Sequence, residues 1–226
     1  MRTIGLALTL VLGSTLTGAL SAQDVQAQLD GRVSPEVRQA VGSVAADAAA
    51  RGLPVDPLVQ KAIEGAAKGV PGERVIAAVR ALAVRLGDAR EAVRNGGVAA
   101  PSGDLVEGGA DALNAGLSGR QVGDLVRESN RPPYDPALTL RVAATLAALG
   151  VPPTQAFQLV EGMISAGRSP SDLLGLPGEV QSGVARGATP AQAAAGLARA
   201  AGGPPPGRLP DWVPPGQRKP RNPHKP

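Results

Sequence analysis

A glycine, then a hydroxyl or acidic residue, then proline: this order recurs along the chain and constrains its fold more than any other feature. It stands in SAGRSPSDLLG (165–175) and again, nineteen residues on, in VARGATPAQAA (184–194). Each piece has a mechanical meaning. Glycine just past a helix takes the left-handed conformation that closes it. Ser, Thr or Asp at the N-cap accepts a hydrogen bond from an unpaired N–H of the next helix. Proline in the first turn loses no bond and already has the helical φ. Gly167 with Ser169-Pro170 and Gly187 with Thr189-Pro190 fit this order, and Asp172 and Gln192 stand where capping-box partners belong.

The same reading applies upstream. Ser34-Pro35 opens a helix that Gly52 closes, Asp56-Pro57 opens one that Gly69 closes, and Val70-Pro71 opens another. Gly116 closes a helix and Ser118 caps its successor. Asp135-Pro136 opens one that Gly150 closes, and Val151-Pro152-Pro153 starts its neighbour. The stops at Gly52 and Gly69, and those at Gly150, Gly167 and Gly187, lie 17 to 20 residues apart, room for a helix of about 12–14 residues and a tight connection. The apolar residues between stops form single stripes: Leu58, Val59, Ala62, Ile63 and Ala66 in one interval, Phe157, Val160, Met163 and Ile164 in another. No segment shows strand alternation. The expected fold is all-α, an array or bundle of about nine short helices. Two readings of the punctuation stay open: a degenerate helical repeat, or generic stop and start signals in an Ala-rich chain.

Aromatics are 1% of the sequence, namely Tyr134, Phe157 and Trp212, so the core is expected to be Ala, Val, Leu and a few Ile. The helical body spans 23–201. GGVAAPSG at 96–103, preceded by Asn95, is its best internal break, either a subdivision or a loop within one domain; NRPPYDP at 130–136 reads as an extended connector.

Both ends differ from the body. MRTIGLALTLVLGSTLTGALSAQD places Arg2 before an apolar run from Ile4 to Leu12 and ends in small residues. That is the order of a secretory signal peptide over 1–22, cleaved after Ser21 or Ala22. The expected destination is periplasmic or extracellular, in a bacterial host, with no membrane span after cleavage. At the other end, 13 of the 25 residues in 202–226 are Pro or Gly, which predicts a disordered, partly polyproline II tail. The tail holds Arg208, Arg218, Lys219, Arg221 and Lys225 against Asp211, while 23–201 carries 17 basic and 18 acidic residues. The cationic character of the mature chain therefore lies in its tail.

Chemistry is sparse. There is no Cys, and the one His is His224, in the tail. This excludes disulfides, thiolate catalysis, and a His-dependent triad or His/Cys zinc site within the helical body. No phosphate-binding or dinucleotide motif is present, and no cofactor is expected. Glu107 and Asp111, four apart on a predicted helix, form an acid–base or cation-binding pair or else a solvated face; the face is the reading preferred. Arg74, Arg80, Arg85, Arg90 and Arg94 lie among Glu73, Asp88 and Glu91, which reads as a mixed solvated face. Few stacking aromatics and an exported chain argue against nucleic acid. The tail suits a polyanionic partner, such as envelope polymer or lipid headgroups, with Arg208, Trp212, Arg218, Lys219, Arg221 and Lys225 as contacts; the bland alternative is a solubilising end. The sequence names no activity. The leading expectation is a non-catalytic envelope or protein-interaction module. The alternatives are a lipid or small-molecule carrier and a carboxylate-dependent hydrolase.

Overall fold

Seven glycines turn the chain out of its helices in one and the same way. In the computed structural model, which describes residues 22–202, Gly52 has φ +66°, a conformation glycine reaches without a Cβ clash. Its N–H donates to the Ala49 carbonyl and that of Leu53 to the Ala48 carbonyl. This is the paired-bond Schellman closure, which satisfies two carbonyls the helix end leaves open. The same two bonds recur at glycines 69, 97, 116, 150, 167 and 187. The residue after the glycine is buried at Leu53, Leu117 and Val151, so the closure also pins the chain to the core.

All regular structure among the described residues is helical. The elements are α1 (Ala22–Leu29), α2 (Pro35–Ala50), α3 (Asp56–Ala67), α4 (Gly72–Asn95), α5 (Gly103–Asn114), α6 (Gly119–Ser129), α7 (Pro136–Ala148), α8 (Pro153–Ser165), α9 (Pro170–Ala185) and α10 (Pro190–Ala200). Nine were read from the sequence, and the additional one is α1. It lacks a Pro start, yet it buries Val25 and Leu29, and Gly31 follows it with φ +66°.

The starts are capped as the residue types require. Ser34, Ser102 and Asp135 accept from the N–H three residues on. Ser118 with Gln121, Ser169 with Asp172, and Thr189 with Gln192 close reciprocal capping boxes. One local expectation shifts. Asp56 lies inside the first turn of α3, behind Val55, and caps nothing. The break at 96–103 falls where it was read: Asn95 ends α4, Gly96 and Gly97 form the turn, and the left-handed residue is Gly97 with φ +102°.

The packing is sequential. In every extensive contact a helix meets the next one along the chain or the next but one, from α1 on α2 and α3 to α10 on α8 and α9. An array of this kind builds its core from neighbours alone. One buried cluster gathers α1–α4, with Leu29, Leu58, Val79 and Leu86; a second gathers α6–α10, with Leu125, Leu140, Leu159 and Val180, and takes in Ala92 and Val93 from the end of α4. Helix α5 serves both, with Val106 and Ala110 in the first and Leu105 and Ala112 in the second. Two adjacent glycines let it sit that close to its neighbours. A Cβ on Gly108 would lie 3.0 Å from the Ala137 carbonyl of α7, and one on Gly109 would lie 3.2 Å from the Ala89 Cβ of α4. The core is mostly Leu, Val and Ala, with Ile76, Met163 and Ile164, while Tyr134 and Phe157 are half-buried at its edge. Apart from Ala22 and Gly202, the leader and the tail lie outside the described residues.

Candidate functional site

The connector between α6 and α7 builds a groove. Pro132 and Pro133 bar helix there, and Asp135 restarts it by accepting from the Leu138 N–H at 3.0 Å. Between them Tyr134 turns its hydroxyl toward the end of α8. It donates to the Arg168 carbonyl at 2.8 Å, with the Ile164 carbonyl a second acceptor at 3.4 Å. Helix α9 begins two residues after Arg168, so the first turns of α7 and α9 are held side by side. The space between them is about 90 Å³, lined by Pro133, Tyr134, Leu138, Val142, Pro170, Leu173 and Leu174, with Asp135 and Thr139 as its polar members. Leu138 is 43% exposed and Leu174 is 54% exposed.

The end of the described chain lies beside this groove. The Arg168 guanidinium donates to the Ala200 carbonyl, the last of α10, at 3.2 Å. Thus one residue, Arg168, holds Tyr134 through its backbone and the end of α10 through its side chain.

The carboxylate pair read from the sequence lies elsewhere. Glu107 and Asp111 are on α5 as expected, and Asp104 joins them one turn earlier, ion-paired with Arg141 of α7. Burial pushes the Glu107 carboxyl above its ordinary range; Arg141 opposes the shift, and Asp104, Asp111 and Asp56 add to it. Burial also raises Asp111 against the pull of Arg141. The arrangement is an acidic strip with one counter-cation, in which Glu107 is half-buried and Asp104 and Asp111 are exposed. Among the described residues no group of three or more His, Cys, Asp or Glu is placed to hold a metal ion.

Two wider clefts flank the C-terminal half of α4. One, about 580 Å³, is lined by Arg90, Glu91, Arg94 and Asn95; the other, about 460 Å³ between α4 and α6, by Asp88, Arg120, Asp124 and Arg127. Three arginines here have protein acceptors: Arg90 bonds the Arg51 carbonyl, Arg120 pairs with Asp124, and Arg127 bonds the Asn95 carbonyl and pairs with Asp124.

The tail residues Arg208, Trp212, Arg218, Lys219, Arg221 and Lys225 lie outside the described residues. Sequence reasoning missed the groove. Its one signal was the NRPPYDP connector, an extended segment set between two apolar helices. No helix among the described residues is long and apolar enough to cross a membrane. Comparison with protein-family models, curated proteins and solved structures finds no match.

Proposed function

We propose that this chain is a non-catalytic interaction module of the cell envelope, docking a protein partner in the α7–α9 groove and attaching weakly to anionic polymer or headgroups through its tail. The observation that supports it most is the pair Leu138 and Leu174, which leave apolar surface in water on either side of one groove. Covering such surface gains about 25 cal/mol per Å². At about 90 Å³ the groove is well below the roughly 300 Å³ at which small-molecule pockets begin; it suits one or two side chains of a protein segment. Export rests on the leader pattern at 1–22, and attachment on five cations and Trp212 in the tail.

The test is retention on envelope fragments, at low and at physiological salt. Three chains are compared: 23–226, a chain ending at Gly202, and the L138D/L174D double variant. The tail carries the salt-sensitive part of binding, which disappears on truncation at Gly202. The groove carries a salt-resistant part, which disappears in the double variant. Retention unchanged by both alterations sinks the reading.

A further inference from the structure

We infer that the chain's own segment Leu209–Pro215, LPDWVPP, docks in the α7–α9 groove. This rests on the reading of that groove as a docking surface, and it names the first occupant. Position supports it. The chain passes Ala200, which Arg168 holds, and leaves the described residues at Gly202. Arg168 also accepts the Tyr134 hydrogen bond and stands two residues before Pro170, both of which line the groove. The segment starts seven residues beyond Gly202, a reach of roughly 20 Å at about 3.1 Å per residue.

Chemistry supports it as well. Proline-rich segments enter aromatic- and proline-lined grooves because their extended form loses little entropy on binding. Here Tyr134, Pro133 and Pro170 meet Leu138 and Leu174. Leu209, Val213 and the Pro214-Pro215 pair offer matching apolar side chains, and Trp212 offers a large ring with a polar edge. Charge is matched at the rim. Asp135 lines the groove and Asp172 lies in the same turn of α9 as Leu173, while Arg208 and Arg218 flank the docking segment. A tether this short holds the segment near millimolar effective concentration, so weak docking suffices. Lys219, Arg221 and Lys225 lie beyond the segment, so docking and electrostatic attachment are compatible. A protein partner must displace the tail to enter.

Trp212 is the one tryptophan in the chain, so its fluorescence reads docking directly. Four samples are compared: chain 23–226, its L138D/L174D variant, a V84D variant as an exposed control on α4, and a peptide of residues 203–226. Docking in cis gives chain 23–226 emission at shorter wavelength, and less quenching by acrylamide, than the peptide. The double variant loses both effects, V84D keeps both, and dilution changes neither. The peptide also binds the chain ending at Gly202 about tenfold more tightly than it binds chain 23–226, the ratio set by a millimolar tether competing with an affinity of about 100 μM. Emission in chain 23–226 identical to that of the peptide overturns the inference. A shift that fades on dilution overturns it too, because the occupant is then a second copy. If Trp212 is undocked while L138D/L174D still abolishes salt-resistant envelope retention, the docking inference fails and the reading of the groove stands. If that retention is also unchanged, both fail.

Discussion

The hydroxyl of Tyr134 donates to the Arg168 carbonyl across 34 residues of chain, and this bond fixes the distance between the first turns of α7 and α9. A hydrogen bond of this type contributes about 0.5–1.5 kcal/mol net. Tyr134→Phe keeps the ring against the core and removes the bond. The expected result is a loss of about 1 kcal/mol in urea unfolding, with an unchanged m-value. An unaltered midpoint would show that the connector is held by ring packing alone.

Helix closure predicts opposite signs for two glycine substitutions. Gly150 has φ +92°, and its Cβ would lie 3.4 Å from the Pro190 Cγ. Gly150→Ala forces a side chain into the left-handed region and costs about 1 kcal/mol or more. Gly162 lies inside α8, and a Cβ there meets nothing within 4 Å. Gly162→Ala gains roughly 0.5–1 kcal/mol. Thermal unfolding of the two variants checks this; destabilisation by both would reject the assignment of roles.

Those boundaries were legible because capping is local. Ser118 with Gln121 and Thr189 with Gln192 need only a three-residue spacing to satisfy backbone donors, and a glycine needs only its own φ to stop a helix. What stayed hidden depends on neighbours distant in sequence. Gly108 and Gly109 read as weak helix formers, yet each opens one side of α5 to a different helix. At the α4–α6 crossing, a Cβ on Gly96 would come within 2.7 Å of the Gly123 carbonyl, and nothing local to either glycine announces the other. Leu138 and Leu174 belong to apolar stripes like any others; they are exposed because no helix among the described residues covers them. Helix α1 was passed over because its eight residues carry one short stripe and no proline start.

Glu161 links stability to pH. Burial, then the carboxylates of Glu128 and Asp124, push its carboxyl above the ordinary 4.5. The native state therefore holds this proton more tightly than the unfolded chain. The resulting stabilisation is complete below about pH 4.5 and is lost as pH rises through the raised native value. Glu161→Gln removes the penalty that remains at pH 7. The variant is more stable than the parent there, by no more than about 1 kcal/mol because the group is only half-buried. The difference vanishes at pH 4. Urea unfolding at both pH values measures it, and a variant less stable at pH 7 would reverse the assignment.

Sequential packing predicts that damage stays local. Leu58 is fully buried in the cluster formed by α1–α5. Leu58→Ala leaves a cavity that costs about 2–5 kcal/mol. In an array whose helices touch only near neighbours, that loss falls first on the elements around the cavity. Hydrogen exchange in the variant should quicken across α1–α4, while the amides of α7–α10, built around Leu140 and Leu159, keep their parent protection. A wider effect would travel through α4, which supplies Ala89 to the first cluster and Ala92 and Val93 to the second, and through α5, which supplies Val106 and Ala110 to the first and Leu105 and Ala112 to the second. Equal acceleration in all ten helices would mean that α4 and α5 couple the two clusters into one cooperative unit.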